Sequence, residues 1–100
     1  MSVPLGAAAL AAARHALPEW RVGNDALVRQ FRFADFPTAV RFMSAAVADI
    51  EAMQHHPTWT NTYDQVEVRL CTHDADDSVT ELDVRLAHIL QALAREHGAT

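Results

Sequence analysis

Two short runs of this 100-residue chain hold most of its groups suited to moving protons. The first is Glu51-Ala52-Met53-Gln54-His55-His56-Pro57. Imidazole is the side chain whose ordinary pKa lets it gain and lose a proton near neutral pH, and a carboxylate beside it can orient the ring and hold that proton. Glu51 and His55 are four apart, so on a helix they share a face. Pro57 disfavours helical geometry at His56, which lets the two adjacent rings diverge into one cleft. A single histidine in a last helical turn needs no function, because it suits the helix dipole. Two in a row before a helix-breaking proline point to a site. The second run is Thr72-His73-Asp74, followed by the acidic loop Ala75-Asp76-Asp77-Ser78. Its imidazole brings to three the groups fitted for general acid–base work. Asp83 has two readings: with Thr80 it fits a helix capping box, and as a carboxylate it can complete a site with the histidines. His15, His88 and His97 fall on helical surfaces or ends and receive no role.

These residues must be positioned by regular elements, and the periodicity supplies them. Residues 5–16 read as a short Ala-rich helix stopped by Pro18. After Trp20 comes a short extended segment, then Gly23-Asn24-Asp25 as a turn, then a strand over 26–33. On that strand Leu27, Phe31 and Phe33 share one face, Val28, Gln30 and Arg32 the other, with Arg29 out of pattern. Asp35-Phe36-Pro37 opens a helix with a side-chain acceptor and a first-turn proline. Its expected buried stripe is Phe36, Ala39, Val40, Met43, Val47, Ile50 and Met53, and Pro57 ends it. A hairpin follows, with Trp59, Asn61 and Tyr63 alternating, a turn near Asp64-Gln65, and a second strand through Thr72 with Val66, Val68 and Leu70 on one side. A last helix over 80–97 aligns Leu82, Leu86, Ile89, Leu90 and Leu93 and stops at Gly98. Helix, two strands, helix, two strands, helix predicts one α+β domain over residues 1–100: a four-stranded antiparallel sheet with three helices packed on one face.

Composition excludes several classes. The lone Cys71 forms no internal disulfide and no Cys-rich zinc site, which suits a reducing cytoplasm. Net charge is −5, from 13 acids against 8 bases, and every base is arginine. That balance argues against a nucleic-acid surface, which needs a clustered positive field. No run approaches the roughly 20 apolar residues of a membrane span, and the alanine run at 7–13 precedes its first base, the reverse of a secretory signal. A chain this short buries only about 60–65% of its unfolded surface, so self-association is expected.

One resemblance goes further than spacing. The run Glu51-x-x-x-His55-His56-Pro57-x-Trp59-x-Asn61-x-Tyr63-x-x-Val66-x-Val68-x-Leu70-x-Thr72-His73-Asp74, followed by Leu82-Asp83, resembles the signature of the pterin-4a-carbinolamine dehydratase (4a-hydroxytetrahydrobiopterin dehydratase) family. Trp20, Phe31-x-Phe33, Asp35-Phe36 and Phe42-Met43 are similar to the family's upstream strand and helix, so the likeness spans about residues 17–95. It implies a dimer or tetramer that dehydrates 4a-hydroxytetrahydropterins without metal or organic cofactor. The product is quinonoid dihydropterin, and the link is to an aromatic amino acid hydroxylase in tetrahydrobiopterin recycling. The resemblance makes His55, His56 and His73 the acid, base and substrate-positioning set, with Glu51 holding His55 and Asp83 completing the site. Substrate contacts are implied for Gln54, His55, His56, Cys71, Thr72, His73 and Asp74. Two departures stand out. Gln54 replaces a more typical Asn or Asp, and the loop Asp76-Asp77-Ser78-Val79 lacks the family's glycines, which take positive φ cheaply. Two other readings remain: a non-enzymatic dimerisation or assembly module, a role some family members have, and a metal site from His55, His56, His73 and a carboxylate. Adjacent histidines rarely converge on one ion, which ranks the metal reading last.

Overall fold

A computed structural model describes residues 2–100. The elements run α1 (Ala7–Ala16), β1 (Arg21–Val22), β2 (Leu27–Arg32), α2 (Phe36–Met53), β3 (Thr58–Thr62), β4 (Gln65–Leu70), a single 3-10 turn (His73–Ala75) and α3 (Glu81–Glu96). The strands form one antiparallel sheet in the order β1-β2-β4-β3. The expected architecture is therefore present. β4 lies inside the sheet and alternates as its sequence demands: Val66, Val68 and Leu70 are fully buried while Glu67 and Arg69 face outward. Its ladder stops at Leu70, two residues before the expected end, and Thr72 instead makes an isolated bridge with Ser78. The hairpin turn also falls earlier than expected. Tyr63 leaves the strand with φ 52° and is exposed, so only Trp59 and Asn61 continue the half-buried alternation.

Phe31 is the hub of the core. It packs edge-on against Trp20 with ring centroids 5.9 Å apart, and against Phe42 of α2 at 5.6 Å, while Phe33 lies 5.0 Å from Phe42. Each such pair contributes about 0.5–1.5 kcal/mol beyond its area burial. Arg29, the residue out of pattern, shares the inward parity of Leu27 and Phe31. Its guanidinium lies 4.4 Å above the Phe31 ring and donates to Gln91 Oε1 at 2.5 Å, an oxygen that also accepts the Trp20 Nε1–H. Burial is the main cause that draws this guanidinium below its ordinary pKa.

The helices begin where their caps dictate. Asp35 Oδ1 accepts the Thr38 N–H at 2.9 Å and starts α2, with Pro37 in the first turn. The Thr38 hydroxyl, then its N–H, hold the Asp35 carboxyl below the usual carboxylate range. The buried stripe of α2 differs from expectation. Ala39, Phe42, Ala46 and Ile50 face the core, whereas Phe36, Val40 and Val47 are exposed. Apolar residues occupy two adjoining faces of this helix. The face with two alanines is the one buried, since small side chains permit close approach to α3 and the sheet. Along α3 the buried residues are Asp83, Leu86, Ala87, Leu90, Gln91 and Ala94, with Leu82, Ile89 and Leu93 at the half-buried border. Among the described residues no helix is long and apolar enough to cross a membrane.

Candidate active site

The end of α2 decides where the first two histidines go. Gln54 adopts the left-handed conformation (φ 50°, ψ 39°), and the His55 N–H reaches back to the Ile50 carbonyl at 3.4 Å. This is the closure that usually recruits glycine, here made by glutamine and followed by the extended geometry Pro57 imposes. The reversal takes His55 off the helix. Glu51 and His55 consequently do not share a helical face, and the expectation that Glu51 holds His55 is corrected: Glu51 Oε2 pairs with His56 Nε2 at 2.6 Å. Both side chains of that pair are more than half exposed. Exposed pairs are weak, so Glu51→Gln is expected to cost less than about 1 kcal/mol in urea unfolding; a larger loss would show that Glu51 has a structural role beyond this contact.

His55 is buried and finds a different carboxylate. Its Nε2 lies 2.5 Å from Asp83 Oδ1, and Asp83 has no solvent exposure at all. Asp83 Oδ2 accepts the Thr72 hydroxyl at 2.8 Å and the Thr80 N–H at 2.9 Å. The capping reading of Asp83 is realised, because the Thr80 N–H bond is half of the capping box that opens α3, and the same carboxylate also contacts His55. An ionised carboxylate only accepts hydrogen bonds, so the proton orientation around it follows. Thr72 spends its hydrogen on Asp83, and Thr80 must then donate to Thr72 across their 2.7 Å contact. Against an ionised Asp83 the proton of this contact belongs to His55 Nε2, which leaves Nδ1 as the second nitrogen of the ring. Among the described residues every buried side-chain polar atom has a partner.

His73 opens the 3-10 turn just beyond β4. Thr72 N–H to Ser78 carbonyl closes the loop at 2.9 Å, and Asp76 and Asp77 both take φ 55° within it. The positive φ values fall on aspartates and not on glycine; Asp tolerates this region better than most side chains. The effect is to bring Asp77 Oδ1 to 2.6 Å from His73 Nδ1, with both side chains largely exposed. Each of the three histidines is thus tied to one carboxylate, and only the His55–Asp83 pair is shielded from solvent screening. Cys71 lies half-buried nearby. Burial foremost, then the charges of Asp77 and Asp83, push its thiol above the ordinary range.

A cleft of about 210 Å³ joins the two regions, lined by Ser2, Gln54, His55, Thr72, His73, Asp74 and Leu82. Of the expected site residues it gathers Gln54, His55, Thr72, His73 and Asp74, with Asp83 directly behind His55. His56, Glu51 and Cys71 are absent from the lining. Residues that sequence reasoning left out of the site are Ser2 and Leu82 in the lining and Thr80 behind it. Thr80 was visible as a helix cap, whereas nothing in the sequence signals that the N-terminal segment crosses the site. That segment is anchored by the Leu5 N–H to the Val79 carbonyl at 2.9 Å. The same segment also lines a larger depression of about 540 Å³ that shares Ser2 and Leu82 with the cleft but contains no histidine.

A family model described as Pterin 4 alpha carbinolamine dehydratase matches residues 3–93, extending the likeness to the N-terminal segment and α1. A Paraburkholderia xenovorans (strain LB400) protein is 46% identical over 80 residues, covering 78% of this chain and 82% of its own length. One from Bordetella avium (strain 197N) is 44% identical over 93 residues, covering 91% and 85%. Both carry provisional pterin-4-alpha-carbinolamine dehydratase names. Among solved structures, a transcriptional coactivator/pterin dehydratase from Brucella melitensis matches with a TM-score of 0.83 at 40% identity, covering 90% of this chain and 97% of that one. A pterin dehydratase-like protein identified as a RuBisCO assembly factor in the alpha-carboxysome shares the fold, with a TM-score of 0.64 at 24% identity over 76% of this chain and 89% of that one.

Proposed function

This chain belongs to the pterin 4 alpha carbinolamine dehydratase family, and from that premise we propose that it converts 4a-hydroxytetrahydropterins to quinonoid dihydropterin and water by histidine acid–base catalysis. The observation that carries the reading is His55, backed by the fully buried Asp83, in the wall of a cleft that also holds His73. The reaction breaks the bond between carbon 4a and its hydroxyl oxygen, with no change of redox state. The leaving oxygen must gain a proton and a ring nitrogen must lose one, so the chemistry asks for two proton-transfer groups and no electron carrier. His55 suits the base. Its Nδ1 can accept the ring proton while Asp83 stabilises the imidazolium that forms, the role of the carboxylate in an Asp–His pair. His73 suits the acid, because its Nε2 is free of Asp77 and its exposure lets it reload from solvent. Gln54, Thr72 and Asp74 border the same cleft, which supports reading them as contacts for the pterin. The setting we propose is tetrahydropterin recycling after an aromatic amino acid hydroxylase.

The exposed strip Phe36, Val40 and Val47 on α2 supports self-association into a dimer or tetramer. The same strip favours the second reading, a non-enzymatic partner-binding module, and the Brucella melitensis relative is described as a coactivator as well as a dehydratase. Following the loss of 4a-hydroxytetrahydropterin with purified protein separates the two. The dehydratase reading expects acceleration over the spontaneous reaction that survives a chelator. A folded chain without acceleration would favour the module.

A further inference from the structure

Cys71, His73 and Asp77 offer a sulfur, a ring nitrogen and a carboxylate oxygen that all lie within 4.8 Å of one another. We infer that these three side chains form a binding site for a divalent cation of the zinc class, at the rim of the catalytic cleft. Among the described residues this is the one group of three or more such ligands that converges. It is not the histidine set considered from the sequence, since His55 and His56 have their Nε2 atoms committed to Asp83 and Glu51.

The local fold explains the convergence. Cys71 and His73 flank Thr72, whose bridge to Ser78 pins the loop, and the left-handed Asp76 and Asp77 turn the chain so that Asp77 returns to His73. Tetrahedral zinc, with bonds of about 2.0–2.3 Å, holds its ligand atoms roughly 3.3–3.6 Å apart. The His73–Asp77 contact at 2.6 Å must open slightly as its proton leaves, and the thiol must close by about an ångström. His73 and Asp77 are exposed and free to adjust. A thiolate and an imidazole with one carboxylate select zinc over magnesium or calcium, which prefer all-oxygen sites. Three protein ligands leave a fourth position for water. The surrounding charge favours a cation: Asp25, Asp77 and Asp83 act on Cys71, against Arg69 alone. On binding, the ion displaces the thiol proton.

An effect on turnover follows, and it rests on the dehydratase reading. An imidazole whose Nδ1 holds a metal keeps its proton on Nε2 and has no second basic nitrogen. His73 would then be unable to exchange protons with substrate, so the cation is an inhibitor of turnover.

Cobalt(II) titration of the full chain, stripped by chelation and kept reduced by a non-thiol reductant, tests the site without reference to activity. The expected result is one equivalent bound with a sulfur-to-cobalt charge-transfer band, which zinc displaces. Cys71→Ser should abolish the band, and Asp77→Asn should weaken binding about tenfold or more, both with the wild-type circular dichroism. Absence of the band, or wild-type cobalt affinity in Asp77→Asn, would overturn the site. Zinc inhibition with the same midpoint as the band would support the effect on turnover; unchanged turnover at saturating zinc would overturn it. A chain with no turnover would count against the dehydratase reading and leave the cobalt result standing.

Discussion

Asp83→Asn is expected to lower kcat by about 10²–10⁴-fold while leaving the protein folded. The substituted amide has one acceptor oxygen and one donor nitrogen where Asp83 has two acceptors. Oδ2 receives the Thr80 N–H, a backbone donor that cannot reverse, together with the Thr72 hydroxyl. The amide oxygen therefore stays on that side, and the amide nitrogen takes the place of Oδ1, 2.5 Å from His55 Nε2. An N–H now points at Nε2, which must become the acceptor, so the proton of the neutral ring moves to Nδ1. The nitrogen proposed to take the ring proton is then already occupied. Stability should fall by about 1–3 kcal/mol, because charge-assisted bonds weaken and the second amide N–H is buried without an acceptor, while the Thr72 and Thr80 donors keep theirs. Steady-state kinetics with a thermal melt reads both effects, and nitrogen-15 NMR of the ring reads the tautomer. A near-wild-type kcat with the proton moved to Nδ1 would show that His55 is not the base.

His55→Ala is expected to abolish most turnover and also to destabilise the fold. It leaves the Asp83 carboxylate fully buried with Thr72 and Thr80 as its only partners and Oδ1 without a donor. Removing the donor from a buried carboxylate costs about 2–3 kcal/mol, which for a domain of this size lowers Tm by on the order of 10 °C or more. His55→Gln separates the two effects, since it restores an N–H donor toward Asp83 but carries no titratable ring. It should regain part of the lost stability and none of the activity. If His55→Gln were as unstable as His55→Ala, the contact to Asp83 would be contributing little. Recovery of turnover in His55→Gln would exclude proton transfer by His55.

Much of this was legible in the chain itself, and the reasons are local. Val66, Val68 and Leu70 alternate without exception, so β4 and its hairpin could be read from period two alone. Asp35-Phe36-Pro37 and Thr80-x-x-Asp83 are helix starts written in side-chain chemistry, and both caps form. The proximity of His55, His73 and Asp83 was legible only through the family signature, because residues 28 apart are brought together by packing. Pairing of carboxylates with histidines was not legible. It depends on Gln54 adopting a left-handed conformation, which its side chain does not advertise as a glycine would. Likewise the two adjoining apolar faces of α2 satisfy the same periodicity, and only the close packing at Ala39 and Ala46 selects one. The loop at Asp76 and Asp77 stands out in the sequence for its lack of glycine. Its outcome, two left-handed aspartates that carry Asp77 to His73, required the backbone itself.

We propose that this chain dehydrates a pterin carbinolamine through His55 and His73. The most direct test is the rate of 4a-hydroxytetrahydropterin loss with wild type, His55→Gln and His73→Ala, compared at equal concentrations of folded protein. Acceleration by wild type is expected, with a loss of about 10²-fold or more in each variant. His73 is exposed, so its variant should melt with the wild type. No acceleration by the wild-type chain, or turnover undiminished in both variants, would contradict the claim.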